Sequence, residues 1–344
     1  MRKLLNTLYV TTPEAYLTKD GENVVVRVKE KEVFRIPVLN IEGIVTFGYM
    51  GASPALMKMC ADRAIGLCFL TANGQFQGRV SGAVVGNVLL RRTQYRIADD
   101  KSKTLQLSRI FIAGKIANSR TIVDRFKRDH ISSDDRLELF LSVSEKLKRC
   151  KKQALEVATV DALRGIEGEA ATIYFSVLDQ MIIAQVDDFK FCGRNRRPPK
   201  DKVNALLSFV YTLLAHEVQS ALESVGLDPY VGFLHTDRPG RASLSLDMME
   251  ELRAYLADRL VLSLINRKQI SGKGFVEHGD NGVIMNDDVR KTVLQAWQQR
   301  KKEMVIHPYL NESIPIGLIP YVQAMLLARY LREDLDGYPV FLVK

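Results

Sequence analysis

Cysteine is scarce in this chain of 344 residues, which contains only four. No two of them stand at C-x-x-C spacing, so the sequence predicts neither a zinc centre nor a disulfide framework and favours a reducing, cytoplasmic location. Apolar runs are short as well, and none reaches the ~18 residues of a membrane span. Because Asn6 and Thr7 interrupt the apolar N-terminal stretch, we expect no signal peptide and no membrane partner.

Several strong enzyme motifs are also missing. The chain contains no G-x-x-x-x-G-K-[ST], no G-x-G-x-x-G, no H-E-x-x-H and no G-x-S-x-G. Nucleotide hydrolysis at a P-loop, Rossmann redox chemistry and zincin chemistry therefore lose support. Positive charge, by contrast, is in excess: 49 lysines and arginines against 40 acidic residues give a net charge of +9. This balance points to a polyanionic partner, most often nucleic acid.

The distribution of apolar residues predicts an α+β protein. Short β-branched and aromatic runs fill the first ~80 residues and predict strands, with a hairpin turn at Asp20-Gly21 and one helix, 53–64, starting at Ser53. Helical spacing then takes over and predicts helices at about 87–97, 102–128, 134–158, 160–188, 201–226, 245–266, 286–304 and 318–333, with a loop or small hairpin at 271–285. We therefore predict a small N-terminal β-domain, residues 1–85, followed by a larger all-helical C-terminal domain, residues 86–344.

Glu167 stands out in the segment 163–175, LRGIEGEAATIYF, because small and apolar residues surround it. Gly165 and Gly168 leave open space beside this carboxylate. The apolar positions follow helical spacing, which would let Glu167 face a partly buried groove. An ordinary surface glutamate on a helix explains the same pattern, so the spacing alone leaves both interpretations open.

A second candidate region is the segment 230–253, YVGFLHTDRPGRASLSLDMMEELR. His235 ends an apolar, strand-like run and precedes a turn. We expect a helix to begin near Ser243 or Ser245, because both are good N-cap residues. A histidine beside an apolar run is often a packing residue, and that alternative remains open.

Two acidic residues follow in the predicted helix. Asp247 and Glu250 are three residues apart and would share one helix face. Together with an imidazole they would suit Mg²⁺ or Mn²⁺ better than structural zinc. Structural roles account for them too, because acidic residues stabilise a first helical turn and Glu250 could pair with Arg253.

Basic residues form clusters that suit a DNA backbone. The candidate DNA-binding residues are those between the two regions, those of the helix near residue 90 and those of the turn after His235: Arg194, Arg196, Arg197, Lys200, Arg91, Arg92, Arg238 and Arg241. A solvated helix face is the ordinary alternative for any single cluster.

Three segments taken together resemble one known family: 163–175, then 196–214 (RRPPKDKVNALLSFVYTLL), then 232–253 (GFLHTDRPGRASLSLDMMEELR). They are closely similar to CRISPR-associated protein one, the integrase of spacer acquisition. The resemblance extends over essentially the whole chain, and its details look like the type I-C branch. It implies an N-terminal β-domain and a larger helical domain.

The resemblance also implies the site. It assigns catalytic and metal-binding roles to Glu167, His235 and Glu250, with Mg²⁺ or Mn²⁺ as the cofactor, and gives Asp247 a supporting role. The last ligand is aspartate in some branches and glutamate here. The division of labour between Asp247 and Glu250 is therefore open.

The activity implied is insertion of new spacers into a CRISPR array, in which a protospacer 3′-hydroxyl attacks a phosphodiester at the repeat boundary. The implied partners are double-stranded DNA (protospacer and repeat array), a second copy of the chain, CRISPR-associated protein two and, in type I-C-like systems, CRISPR-associated protein four. Two alternatives remain. One is a stand-alone metal-dependent nuclease acting on branched DNA, and the other is a non-enzymatic basic scaffold.

Overall fold

The computed structural model of the protein describes residues 6–12, 14–48, 50–71, 76–80, 82, 88–131, 134–195, 198–277, 279 and 282–343. The chain forms two compact units. Unit 1 comprises Met1–Gly86, Met285–Glu303 and Pro315–Leu318, and unit 2 comprises Asn87–Ile284, Met304–Ile314 and Ile319–Lys344.

Strands come first along the chain and long helices follow, which confirms the predicted mixed α+β class. The strands are β1 (Thr7–Val10), β2 (Ala15–Asp20), β3 (Asn23–Val28), β4 (Lys31–Pro37), β5 (Gly43–Phe47), β6 (Gly51–Ala52), β7 (Gly66–Leu70), β8 (Phe76–Val80), β9 (Phe275–Glu277), β10 (Val283–Met285), β11 (Met304–Ile306) and β12 (Ser313–Pro315). The α-helices are α1 (Pro54–Asp62), α2 (Val88–Asp99), α3 (Lys101–His130), α4 (Asp134–Glu156), α5 (Val160–Phe175), α6 (Lys202–Val225), α7 (Ser243–Met249), α8 (Arg259–Asn266), α9 (Asp287–Lys302) and α10 (Ile319–Leu331).

Unit 1 contains two four-stranded sheets. One has the order β1-β5-β7-β8, in which β1, β5 and β7 are parallel and β8 is antiparallel to β7. The other has the order β4-β3-β2-β6, in which β6 runs parallel to β2 and the remaining pairs are antiparallel. Fully buried side chains from both sheets and from α1 form its core, among them Leu17, Val24, Ile44, Leu56 and Leu67.

Strand β2 is not among the β-branched and aromatic runs that predict strands in the sequence. The predicted turn at Asp20-Gly21 is present, with Gly21 at φ +55°, but it joins β2 to β3 with Asp20 opposite Asn23. The β2 segment, AYLTKD, contains alanine, lysine and aspartate, which are depleted in strands. It pairs as a strand because Ala15 and Leu17 alternate with exposed Tyr16 and supply apolar area to the core.

The domain boundary predicted between residues 85 and 86 lies next to Gly86, where the chain first passes from unit 1 to unit 2. The segment Met285–Glu303, which holds α9, also belongs to unit 1, although the sequence placed it in the helical domain. Side chains of α9 bind β1 directly: Gln298 Nε2 donates to the Thr7 carbonyl (2.8 Å) and Lys301 Nζ to Thr7 Oγ1 (3.1 Å). Such contacts across almost 300 residues leave no local signal in the sequence.

Most predicted helices of unit 2 are confirmed, and their ends follow capping rules. Asp201 accepts a hydrogen bond from the Asn204 N–H (2.7 Å) at the start of α6, and Gly226 ends the helix in the left-handed conformation at φ +86°. Among the described residues, one helix, the 24-residue α6, is long and apolar enough to cross a membrane. In its most apolar stretch, 61% of the residues are buried inside the protein. That burial is expected of a core helix.

Two predicted helices are wrong in extent. The helix predicted over 160–188 ends at Phe175, and a short 3₁₀ turn, Asp179–Met181, follows. The Asp179 carboxylate accepts from the Phe191 N–H (2.8 Å), and Gln185 adopts φ +54° while its amide bridges the carbonyls of Ile265 and Ile270. Tertiary hydrogen bonds therefore replace the helical ones in a segment that contains no proline or glycine.

The helix predicted over 245–266 is broken into α7, a π-helical segment at Arg253–Asp258, and α8. It begins at Ser243 without a serine cap, because the Ser243 hydroxyl donates to the Thr236 carbonyl instead (3.2 Å). Of the two possibilities predicted for 271–285, a loop or a small hairpin, the structure has the second, because β9 pairs with β10. Since β11 pairs with β12 as well, the region after residue 86 is not all-helical.

The core of unit 1 gives a stability prediction. Ile44 is fully buried on β5, so Ile44→Ala should lower the free energy of unfolding by about 2–5 kcal/mol through lost burial and an unfilled cavity. Urea unfolding followed by circular dichroism measures this. Val33 on β4 is 54% exposed, and Val33→Ala should stay within about 0.5 kcal/mol of wild type. Equal losses in the two variants would contradict the assigned core.

Candidate active site

Helix α5 presents Glu167 to a partly open surface. The helix begins after Thr159, whose hydroxyl accepts from the Ala162 N–H (3.2 Å), and Leu163, Ala170 and Tyr174 are buried on one face. The Glu167 side chain lies beside that face and is 28% exposed.

The glycines on either side of Glu167 leave space on the exposed side of the helix. A Cβ added at Gly165 or Gly168 would meet no described atom within 4 Å. Glu167 itself lies next to the buried face of α5, about 100° around the helix from Gly168 and about 160° from Gly165, so the open space at the glycines does not adjoin its carboxylate as the sequence suggested.

The loop between α6 and α7 carries His235. The turn after it contains Pro239 and Gly240, with Gly240 at φ +73°, and the Arg241 N–H donates to the Arg238 carbonyl (3.0 Å). Proline followed by glycine with positive φ is the sequence of a type II turn. The turn brings the chain back so that α7 packs under the His235 backbone.

Asp247 on α7 is fully buried and serves that loop. Its carboxylate accepts from the backbone N–H groups of Phe233 (2.6 Å), Leu234 (3.0 Å) and His235 (3.0 Å). It also lies 2.6 Å from His235 Nδ1. Both Asp247 oxygens are therefore engaged, and their effect is to orient the imidazole with Nε2 pointing away from Asp247.

Glu250 is a second buried carboxylate of the site, with a side chain only 3% exposed. Its Oε1 lies 2.9 Å from a guanidinium nitrogen of Arg253, and its Oε2 lies 2.8 Å from Lys115 Nζ. The same Lys115 ammonium contacts Glu167 Oε1. One lysine from the middle of α3 thus joins the two carboxylates that the family resemblance implies.

Charge decides the ionisation of Glu250. Burial by itself would raise the pKa of this carboxyl, but the positive charges of Arg253 and Lys115 outweigh burial and hold the pKa at about 2. The carboxylate is therefore ionised at neutral pH. His235 also lies near enough to lower this pKa.

Arg253 connects Glu250 to a buried polar cluster. Its guanidinium lies over the Tyr211 ring, 5.1 Å from the centroid. The hydroxyls of Tyr211 and Tyr174 donate to the two oxygens of Asp258 (2.6 and 3.0 Å). Burial raises the pKa of Asp258 to about 6 despite these donors. The cluster lines a cavity of about 40 Å³ that Lys115 and Glu167 also line, enough for two or three water molecules.

Glu251, the neighbour of Glu250, points to the opposite side and anchors the C-terminal segment. Its carboxylate accepts from the Tyr338 hydroxyl (2.5 Å) and the Phe341 N–H (2.6 Å), and the Gln323 amide lies 3.2 Å away. Asn118 on α3 donates to the Glu251 carbonyl (2.7 Å). The backbone beneath Glu250 is therefore fixed from two sides.

The donor set fits a divalent cation in its chemistry. Two carboxylates already share one cation, the Lys115 ammonium, and His235 is oriented by a carboxylate as metal-binding histidines usually are. In the described part of the chain, no three His, Cys, Asp or Glu side chains are close enough to surround an ion as they stand. Metal binding by Glu167, His235 and Glu250 would require Lys115 to move.

The candidate DNA-binding residues lie in different settings. Arg194 is turned inward, where it donates to Asn204 Oδ1 (2.7 Å) and Ser208 Oγ (3.1 Å) and lies over the Tyr211 ring. Arg241 holds the His235 loop through Thr236 Oγ1 (3.1 Å). The exposed members are Arg92, Lys200 and Arg238, while Arg91 is half-buried, and Arg196 and Arg197 lie outside the described residues.

Sequence reasoning missed the cations of the site. Lys115 lies 52 residues before Glu167, in a long helix with many basic residues, and nothing local distinguishes it. The sequence suggests Arg253 only as a partner of Glu250. The structure shows that pairing and also places the Arg253 guanidinium over the Tyr211 ring. A buried cluster of Tyr and Asp has no signature spacing because its members come from three separate elements.

Comparison with known proteins identifies the family. The family model described as CRISPR associated protein Cas1 matches residues 8–299. A CRISPR-associated endonuclease Cas1 of Chlorobaculum tepidum is 51% identical over 341 residues, 99% of each chain, and another from Rhodospirillum rubrum is 50% identical over 343 residues, 98% of each. The chain therefore belongs to the Cas1 family.

Further matches extend this picture. A Cas4/Cas1 fusion of Geobacter sulfurreducens is 35% identical over 340 residues, which span 98% of this chain and 60% of the fusion. The structure of a Cas1 protein from Thermotoga maritima superposes with a TM-score of 0.81 at 25% identity, covering 98% of this chain and all of that one. A chain of a Cas6-RT-Cas1–Cas2 complex (TM-score 0.84, 20% identity, 98% and 36% coverage) and a casposase bound to integration product (0.82, 21%, 97% and 92%) share the fold.

The space around Gly232 gives a prediction about His235. A Cβ there would lie 2.8 Å from Asp247 Oδ2 and from Ser243 Cβ, with no flexible group to yield. Gly232→Ala should therefore displace the loop, break the contact between His235 and Asp247 and cost about 1–3 kcal/mol of unfolding free energy. Thermal unfolding and the His235 imidazole NMR signals measure the two effects.

The control is Gly168→Ala, because that position is open and helical. It should leave the His235 signals unchanged and gain up to ~1 kcal/mol in helix propensity. The packing described around Asp247 is contradicted if Gly232→Ala is as stable as Gly168→Ala with the same His235 signals.

Glu251 gives a pH prediction. Burial raises the pKa of Glu251 from 4.5 to about 7, although Tyr338, Phe341 and Gln323 donate to it. Between these values the folded protein holds a proton that the unfolded chain has released, so stability falls as the pH rises, by about 3 kcal/mol in all. Burial of Asp258 acts in the same direction up to its pKa of about 6, whereas Glu250 matters only below about pH 4.5.

Urea unfolding in EDTA between about pH 5 and pH 7.5 tests this. Wild type should lose stability across the interval, and Glu251→Gln should show a clearly flatter profile. Glu145→Gln, at a side chain 65% exposed, should keep the wild-type profile. Parallel profiles for Glu251→Gln and wild type would show that Glu251 titrates normally.

Proposed function

We propose that this protein is a metal-dependent DNA integrase and endonuclease that inserts new spacers into a CRISPR array. The observation that carries the proposal is the convergence of Glu167 and Glu250 on one shared cation, beside a histidine oriented by buried Asp247. Membership of the Cas1 family and the relatives named as Cas1 endonucleases support it.

Glu167, His235 and Glu250 would hold Mg²⁺ or Mn²⁺, with Asp247 supporting His235. When bound, the ion would polarise the phosphoryl group and stabilise the nucleophilic and leaving oxygens. Glu250 supplies an anion that remains charged at neutral pH, since its pKa is about 2. Asp247 keeps His235 in place through the Nδ1 contact, which leaves Nε2 as the ligand nitrogen.

The reaction itself is transesterification. A protospacer 3′-hydroxyl attacks a phosphodiester of the repeat, one oxygen–phosphorus bond forms as another breaks, and the displaced strand leaves with a 3′-hydroxyl. A second attack on the other strand completes insertion. Water as the nucleophile would give strand cutting at the same site. The Glu167 side chain is 28% exposed, which would let the DNA backbone reach it.

Exposed basic side chains would hold the DNA. Among the described candidates, Lys200, Arg238 and Arg92 are exposed and free to reach phosphates, whereas Arg194 serves the interior. Phosphate contacts add affinity without sequence preference. Arg196 and Arg197 remain candidates from their sequence position.

We propose double-stranded DNA, a second copy of the chain and Cas2 as partners, with Cas4 as a further one. The match to a chain of a Cas1–Cas2-containing complex and the existence of Cas4/Cas1 fusions support these partners. Placement in the type I-C branch rests on the sequence resemblance, and the cytoplasmic location rests on the number and spacing of the cysteines.

An integration assay tests the function. Purified protein, alone and with Cas2, is incubated with Mg²⁺ or Mn²⁺, a labelled duplex ending in 3′-hydroxyls and a supercoiled plasmid carrying the array. Label should become covalently joined to the plasmid. Glu167→Gln, His235→Asn and Glu250→Gln should each reduce joining by about 100-fold or more, because each removes a proposed ligand.

Glu169→Gln is the matched control, since Glu169 is a half-exposed carboxylate on the same helix that pairs with Arg149 (3.6 Å). It should retain joining. Cutting without joining would favour a stand-alone nuclease. Full joining by the three ligand variants would overturn the proposed site. If these variants also supported the function of the assembled complex, the protein would be a non-enzymatic scaffold.

A further inference from the structure

Lys115 is a feature of the site that the sequence motifs and the family resemblance leave unassigned. Its ammonium touches Glu167 and lies 2.8 Å from Glu250 Oε2, and its side chain is only 14% exposed. We propose that Lys115 is a resident counter-cation: it holds the two carboxylates together before metal binds, and it is released from both when a divalent cation arrives. This inference rests on the proposed metal role of Glu167 and Glu250.

The charge count supports an exchange rather than an addition. Two carboxylates, Glu167 and Glu250, face two cations, Lys115 and Arg253, so their charges balance before metal binds. A divalent ion added to all four would leave a net charge of +2 around the almost completely buried Glu250. Like charges a few ångströms apart repel strongly where water is excluded. Asp258 beside Arg253 offsets part of this excess charge, and release of one resident cation would remove most of the rest.

Lys115 is the cation that is able to leave. Arg253 is fixed by its contact with Glu250 Oε1 and by the Tyr211 ring beneath its rigid, planar guanidinium. Lys115 carries its charge on a flexible four-carbon stem, and strong hydration of an ammonium favours its return to water. It also borders the cavity of about 40 Å³, which gives the side chain space in which to withdraw.

A resident cation has two consequences. It prevents mutual repulsion of Glu167 and Glu250 in the absence of metal. This stabilises the observed packing of α3 and α5 against the backbone at Glu250. It also competes with the metal, so the apparent metal affinity is weaker than the two carboxylates and His235 alone would give. Lys115 would thus set the metal concentration at which the site becomes active.

Metal affinity is the first test. Binding of Mn²⁺ is followed through the electron paramagnetic resonance signal of the free ion, for wild type, Lys115→Met and Lys127→Met. Lys127 is the matched control because it lies on the same helix, is 20% exposed and pairs with Asp124 at 3.0 Å. Lys115→Met should bind Mn²⁺ about tenfold more tightly, since its competitor is gone, and should melt several degrees lower in EDTA. Lys127→Met should bind as wild type does.

The second test uses wild-type protein, so it does not depend on the variant folding. Reductive methylation mapped by mass spectrometry should label Lys115 slowly in EDTA and several-fold faster with saturating Mg²⁺, while Lys127 labelling stays constant. Continued protection of Lys115 with Mg²⁺, or Mn²⁺ binding by a folded Lys115→Met that is no tighter, would overturn the inference.

Glu167→Gln separates the two proposals. If wild type binds Mn²⁺ and Glu167→Gln does not, the proposed metal role stands whatever Lys115 does, and the Lys115 results then judge the exchange alone. If wild type and Glu167→Gln both fail to bind, the proposed metal site fails and the exchange fails with it.

Discussion

The buried negative charge of Glu250 is the constraint on which the rest of the site depends. An ionised carboxylate at 3% exposure is costly unless cations and donors compensate it. Lys115 and Arg253 supply that compensation, and each in turn contacts another element of unit 2: Lys115 reaches Glu167 on α5, and Arg253 lies over Tyr211 on α6. Satisfying one carboxylate therefore fixes the relative positions of α3, α5, α6 and the segment after α7.

The same constraint explains why the helix after Ser243 is irregular. A regular helix would place residues 247, 250, 251 and 258 on a few shared faces, but Asp247 must reach the His235 loop and Glu251 must reach the C-terminal segment. Asp258 must meet the hydroxyls of two tyrosines. A regular helix would span Asp247 to Asp258 in about three turns. Instead α7 ends at Met249 and the backbone continues as a π-helical segment at Arg253–Asp258, which shifts Asp258 relative to the residues before it. Such segments occur frequently at functional sites.

Features that depend on a few neighbouring residues, such as helix caps and turns, could be predicted from the sequence. The N-cap at Ser53 and the left-handed Gly226 could both be inferred from a few neighbouring residues, because capping and turn chemistry act within one turn of helix. The return of α9 to unit 1 and the early end of α5 could not, because side chains distant in sequence decide them. Lys115 escaped prediction for the same reason. The family resemblance directed attention to Glu167, His235 and Glu250, but a pattern of ligands does not show what neutralises them.

One side of the site is buried and the other is open to solvent, and this difference bears on how a substrate would approach. Glu250 is buried with Arg253 behind it, whereas Glu167 and His235 are each 28% exposed. Under the proposed function, a phosphodiester would approach from the side of the exposed pair, while the Glu250–Arg253 ion pair stays fixed behind it. Because Arg194 faces inward, its positive charge belongs to this fixed interior and not to the DNA-facing surface. Under the proposed function, the basic residues that hold the DNA lie around the opening, and mutating them should change the affinity for DNA without changing the electrostatics that keep Glu250 ionised.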